Sequence, residues 1–220
     1  MTRIAIVGAG GLGGPIALAL ARPDLDLTIF DPDVVELSNL HRQIQFTDAD
    51  LGQPKAERLA SAVVRRGGRA IGRAQRWDAA IDCDLVIDAS DDPVTKFAVA
   101  DHAVATGRCY VIAAALRYGG NVMAGAPAAA CYRCLFEEPG EVPTCAEAGV
   151  LGPVVGAIGG VAAAIALGLA QGDRALAGAL LVFDDLRRSA EPRIVRFAPR
   201  QGCPACARAP MLVTPLAEAR

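Results

Sequence analysis

Four cysteines stand in two Cys-x-x-Cys pairs, Cys131/Cys134 and Cys203/Cys206, about 70 residues apart in a chain of 220. Four soft thiolates are what a tetrahedral zinc ion takes, and the wide separation would let the metal tie distant segments together. Disulfide exchange also uses this spacing, but such a pair usually follows a strand early in a small domain, and neither pair here does. A second chemistry sits at the other end of the chain. In Gly8-Ala9-Gly10-Gly11-Leu12-Gly13-Gly14-Pro15, Gly8, Gly10 and Gly13 satisfy the G-x-G-x-x-G spacing of a nucleotide loop, where missing side chains let the backbone approach phosphates. Asp31, about 20 residues on, is placed to accept hydrogen bonds from ribose hydroxyls. These residues alone suit an NAD-dependent oxidoreductase as well as an ATP enzyme.

The residues after Asp31 separate the two. The run Asp31-Pro-Asp33-Val-Val-Glu-Leu-Ser38-Asn39-Leu-His-Arg42-Gln43 is polar and dense in functional groups where a dehydrogenase would enter its next helix, and Gly52-Gln-Pro-Lys55 follows. Arg42 and Lys55 bring two cations into reach of the phosphate loop, as a triphosphate requires. Either one alone also reads as a solvated surface cation.

Alternating elements must position these groups. Arg3–Val7, Leu27–Phe30, Leu85–Ala89 and Cys109–Ala115 read as short apolar strands, and Leu12–Ala21, Gln53–Arg66 and Val94–Thr106 as helices between them. The alternation predicts a mostly parallel, doubly wound α/β sheet. Two further strands are expected at Leu180–Phe183 and Arg193–Phe197. Between them and the first cysteine pair, Ala148–Gly172 carries no charge and is long enough to cross a bilayer. Its many glycines and alanines would insert weakly, and a tightly packed buried helix with Pro153 in its first turn fits better.

Composition excludes several classes. With 53% apolar and 21% charged residues the chain suits one large domain with a substantial core, and a formal charge of −2 offers no footprint for nucleic acid or an anionic membrane. Seven cysteines, an odd number, with no charged-then-apolar leader, point to reduced thiols in the cytoplasm. Cys83 and Cys109, in apolar surroundings, read as small core residues.

The loop form Gly-Gly-Leu-Gly-x-Pro, Ser38-Asn-Leu-x-Arg-Gln43, Lys55, Asp91 after the third strand, Cys131-Tyr-Arg-Cys134, Thr144-Cys145-Ala-Glu-Ala-Gly149 and Cys203-Pro-Ala-Cys206 occur in order along nearly the whole chain. Together they resemble the ThiF, MoeB and HesA family, bacterial relatives of ubiquitin-activating enzymes. The resemblance implies a Rossmann-like adenylation domain over residues 1–220, with 1–125 binding nucleotide and a zinc-clamped part, 126–220, docking a carrier. The implied activity is ATP-dependent adenylation of the C-terminal glycine of a small ubiquitin-like sulfur-carrier protein, ThiS- or MoaD-like, by a homodimer. Gly8, Gly10, Gly11, Gly13 and Gln43 would cradle the nucleotide. Asp31 would hold the ribose, Asn39, Arg42 and Lys55 the ATP phosphates, and Asp91 Mg²⁺ or the reacting phosphate. Zn²⁺ would sit on Cys131, Cys134, Cys203 and Cys206. Asp91 also reads as a helix cap, a role Asp92 fills equally well. In the thiamin branch a cysteine at the place of Cys145 joins the carrier through an acyl persulfide; in the molybdopterin branch it is not needed, and the residues leave this open.

The sequence departs from the family in three places. The arginine of the usual N-terminal arm, which reaches the partner subunit's ATP, has no counterpart. Asp91-Asp92 replaces Asp-Asn, and Lys96 stands where an arginine is customary, so that a weaker fork would face the phosphates. These departures keep a degenerate member that binds a carrier without activating it as an alternative.

Overall fold

The computed structural model describes residues 1–140 and 149–206. Eight strands form one sheet in the order β3-β2-β1-β4-β5-β6-β7-β8. They are β1 (Thr2–Val7), β2 (Leu25–Phe30), β3 (Arg69–Arg73), β4 (Leu85–Asp88), β5 (Cys109–Leu116), β6 (Gly119–Gly125), β7 (Ala179–Phe183) and β8 (Arg193–Arg196). The first five pair in parallel, and β5 through β8 pair antiparallel. Parallel pairings outnumber antiparallel ones, as the sequence predicts; β3, on the parallel side, and β6, on the antiparallel side, are strands it does not predict, because both carry weak strand signals.

The helices are α1 (Gly13–Ala19), α2 (Lys55–Arg65), α3 (Pro93–Ala105), α4 (Tyr132–Leu135) and α5 (Gly152–Ala170). α1, α2 and α5 cover one face of the sheet through Ile16, Leu59, Val63, Val155 and Ile158, and α3 covers the other through Val99, Ala100 and Ala103. Layers on both faces explain the unbroken apolar runs of the central strands: Ile4 to Val7 and Leu85 to Ile87 are all buried.

α5 is long and apolar enough to cross a membrane by length and composition. Here it lies along α1, β5 and β6. Gly159 makes the close approach possible, since a β-carbon there would stand 3.0 Å from Pro15 Cβ and 3.1 Å from Leu12 O. Only one face is covered. The buried helix expected from the sequence packs through Val154, Val155, Ile158, Ala162, Ala163 and Ala166, while Pro153, Ala157, Gly160 and Ala164 are exposed.

Candidate nucleotide site and thiolate cluster

The order β2-β1-β4 places a topological switch point between β1 and β4, where the loops after parallel strands diverge and leave a crevice. The glycine loop after β1 fills its floor. Gly8 adopts φ +96°, with its N–H donating to Phe30 O at 2.8 Å. Gly13 admits no side chain at all, because a β-carbon would fall 1.8 Å from Gly8 O. A β-carbon on Gly8 would lie 2.9 Å from Ala89 O, so the loop sits directly against the end of β4 and the segment that carries Asp91.

Asp31, at the end of β2, is buried and ties this floor to the next segment. Its carboxylate accepts from Ala9 N at 2.7 Å and from Asp33 N at 2.9 Å. Burial pushes the carboxyl above its ordinary value, opposed by those two N–H groups and by the charge of Lys55. Each oxygen keeps a second lone pair for a ribose hydroxyl. Lys55 opens α2, and its ammonium lies 3.1 Å from the exposed carboxylate of Asp33. The cation therefore stands beside the Asp31 turn, partly neutralised.

The polar segment 37–46 folds over the glycine loop. Gln43 is buried with Nε2 3.6 Å from where a Gly10 β-carbon would be, and Gln45 Nε2 donates to Ala9 O and Gly10 O. Asn39 O accepts from Arg42 N and Gln43 N, which makes the turn that sets Arg42 next to Gln43. Among the described residues the Arg42 guanidinium bonds only within its own segment, to Ser38 O at 3.4 Å and His41 Nε2 at 3.3 Å. Gly10, Gly11, Gly13, Asp31 and Gln43 are thus brought together around one crevice, with Lys55 bound in through Asp33. Gln45 escaped the sequence reading because the motif ends at Gln43; a second glutamine two residues on was the available signal.

On the other side of the crevice Asp91 is exposed and makes no hydrogen bond or ion pair among the described residues. Asp92 is the helix cap: its carboxylate accepts from Val94 N, Thr95 N and Thr95 Oγ1, and Pro93 follows at the first helical position. The cap reading of Asp91 is thereby removed.

Lys96 is not an open cation of the crevice as the sequence reading has it, but a buried one. Its ammonium turns inward to Asp88 Oδ2 at 2.7 Å, Ser90 O at 2.6 Å and Ala113 O at 2.8 Å. The cause is Asp88, a fully buried carboxylate at the end of β4 that also accepts from Ser90 Oγ at 2.7 Å. An unpaired charge there would be far costlier than losing a surface cation. Burial pushes the Asp88 carboxyl up, while the Lys96 charge and the bonds from Lys96 and Ser90 act the other way.

The four cysteines of the two pairs converge, with all four Sγ atoms within 4.8 Å of one another. Neighbouring sulfurs lie 3.1 to 3.6 Å apart. A tetrahedral ion with Zn–S near 2.3 Å needs about 3.8 Å between sulfurs, so modest movements, apart for the four close pairs, would fit a metal to the set. Arg200 N donates to Cys134 Sγ at 3.3 Å, the kind of outer bond that orients a thiolate. The cluster is attached to α3. Tyr132 packs edge-on to Phe97 at 4.9 Å, Arg133 stacks over Phe97 at 4.8 Å, and Arg133 Nε bonds Asp101 at 2.7 Å. Cys83 and Cys109 are buried, as small core residues should be. Cys145 and its flanking Thr144 lie outside the described residues.

A glycine loop at the switch point of a Rossmann-like sheet, with four cysteines close enough together to hold a metal, defines the class of protein. The ThiF family model matches residues 1–205. A sulfur carrier protein adenylyltransferase of Thermus thermophilus is 37% identical, the match covering 92% of this chain and 81% of the relative. The sulfur carrier protein ThiS adenylyltransferase of Escherichia coli is 35% identical, covering 93% and 86%. Among solved structures, E. coli MccB with ATP superposes with a TM-score of 0.76 at 17% identity, covering 93% of this chain and 66% of MccB, a likeness of fold. The chain belongs to the ThiF family.

Proposed function

We propose that this chain is an ATP-dependent adenylyltransferase that activates the C-terminal glycine of a small ubiquitin-like sulfur carrier. The observation that carries the reading is the folding of segment 37–46 onto the glycine loop, which brings a polar, cation-bearing strip to a crevice that in a dehydrogenase would open to a nicotinamide. Relatives named for this activity match along more than nine-tenths of the chain.

In this reading Asp31 holds the ribose, and the loop of Gly8, Gly10, Gly11 and Gly13 with Asn39 and Gln43 lines the nucleotide. The carrier carboxylate attacks the α-phosphorus, the bond to pyrophosphate breaks, and an acyl-adenylate stays bound. Arg42 and Lys55 offset the negative charge of two anions brought together and hold the line of attack. Asp91, without a hydrogen bond or ion pair among the described residues, would hold Mg²⁺, whose charge offsets that on the departing pyrophosphate. Carrier-dependent exchange of labelled pyrophosphate into ATP tests the reading, with a carrier lacking its last glycine as control. Tighter calorimetric binding of NAD than of MgATP overturns it. MgATP binding without exchange for any glycine-terminated carrier leaves the degenerate, carrier-binding member instead.

Zn²⁺ on Cys131, Cys134, Cys203 and Cys206 belongs to the same reading, supported by the sulfur spacing. Metal analysis should find about one zinc per chain. Cys203→Ser should lose it and lower the melting temperature by several degrees, at roughly 2–4 °C per kcal/mol for a chain of this size, since the cluster clamps segments far apart in sequence. A variant that keeps both metal and melting temperature would contradict a structural zinc. The reading also includes a cytoplasmic homodimer, to which the exposed small-residue face of α5 is suited.

A further inference from the structure

We infer that Gln45 is a positioning residue for the triphosphate: its side-chain amide aims two peptide N–H groups of the glycine loop at the anion, and Gly14 is a glycine to make room for it. The inference rests on the nucleotide reading of the crevice.

The geometry is specific. Gln45 Nε2 donates to two consecutive carbonyls, Ala9 O at 2.9 Å and Gly10 O at 3.0 Å. In a trans peptide the carbonyl of one residue and the N–H of the next point in opposite directions. Fixing the carbonyls of Ala9 and Gly10 therefore turns the N–H groups of Gly10 and Gly11 the other way. Neither of those N–H groups donates a hydrogen bond among the described residues, whereas the preceding one, Ala9 N, is taken by Asp31. Two aligned, unpaired donors are an anion cradle. Gly10 O is also held by Gly14 N at 3.0 Å, so the Ala9–Gly10 peptide depends most on Gln45: left untied, it could rotate and present a carbonyl oxygen to a triphosphate, and that dipole would repel it.

Gly14 lies outside the Gly8, Gly10, Gly13 spacing, and a turn does not explain it, since it sits in the first turn of α1. A β-carbon there would fall 2.1 Å from Gln45 Oε1 and 2.3 Å from its carbonyl carbon. The amide occupies the space that any side chain at Gly14 would need. Gln45 Oε1 is itself buried with no partner among the described residues, so the amide is seated for what its nitrogen does.

Calorimetric titration with MgATP and, separately, with adenosine tests this on the full chain, alongside the melting temperature of the ligand-free protein. Gln45→Leu keeps bulk and removes the donor. It should weaken MgATP about tenfold, as the loss of a pair of such hydrogen bonds does, with adenosine affinity unchanged and the melting temperature lowered by no more than a few degrees. Gly14→Ala should reproduce the loss, because its methyl evicts the amide, and the double variant should be no weaker than either single one. Unchanged MgATP affinity in Gln45→Leu, or equal losses for MgATP and adenosine, overturns the positioning role while leaving the nucleotide site standing. A wild-type chain that fails to bind MgATP overturns the nucleotide reading and this inference with it.

Discussion

Asp91→Ala is expected to lower carrier-dependent ATP–pyrophosphate exchange on the order of 10³-fold while leaving MgATP binding nearly intact, as for a group whose interaction strengthens only in the transition state. Asp91 follows the end of β4, where Ala89 and Ser90 lie against Gly8, and among the described residues it is the acidic side chain of its loop without a hydrogen bond or ion pair. Asp88 is consumed by Lys96 and Ser90, and Asp92 by the first turn of α3. Asp92→Ala serves as the neighbouring control with the opposite signature. Loss of its three capping bonds should cost about 1 kcal/mol of stability and little of the exchange rate. Equal effects of the two substitutions on exchange would show that the reacting phosphate is organised from elsewhere.

Lys96→Met is expected to destabilise the fold by about 3–5 kcal/mol at neutral pH, because it leaves the fully buried Asp88 without its counter-charge. For a chain of this size that is a fall of roughly 10 °C in melting temperature. The pH dependence has a definite sign. Burial holds the Asp88 carboxyl above its unfolded value of about 3.9, and removing the ammonium removes the largest influence acting against burial. A carboxyl raised on folding binds more protons in the folded state, so stability falls as pH rises through that window and returns as pH is lowered. The deficit of Lys96→Met should therefore shrink between pH 7 and pH 5, measured as the gap in melting temperature from the wild type. Adding Asp88→Asn should recover much of the loss at pH 7. A gap that widens on acidification would mean that the lysine is not compensating a buried carboxylate.

The same network links the two halves of the molecule. α3 carries Asp92 and Lys96 at its start and Phe97 and Asp101 on the turns that receive Tyr132 and Arg133 from the thiolate cluster. The segment of Cys131 and Cys134 and the loop of Asp91 are thus fastened to one helix. This gives the cluster a physical route to the crevice without placing it there.

Local pattern alone was enough for the elements with strong periodicity or punctuation: the β1 loop with Gly8, Gly10 and Gly13, the apolar runs of β4 and β5, the Pro153 start of α5 and the two cysteine pairs that meet. Each depends on neighbours within a few residues, or on a ligand chemistry written in the residue types themselves. Two strands were invisible to that reading. β3 is an edge strand whose Arg69, Ile71 and Arg73 are exposed, and it pairs only because β2 offers it an open edge. β6 contains Gly119, Gly120 and Gly125, poor strand formers, yet Gly125 is required where a β-carbon would lie 2.0 Å from the Tyr110 ring. Side-chain direction was equally out of reach. The sequence by itself determined that Lys96 follows Asp88 by eight residues, and that Gln45 follows the Arg42-Gln43 motif. Only the tertiary structure decided that Lys96 turns into the core and Gln45 onto the glycine loop, because each direction is set by polar groups on another segment: a buried carboxylate in one case, two loop carbonyls in the other.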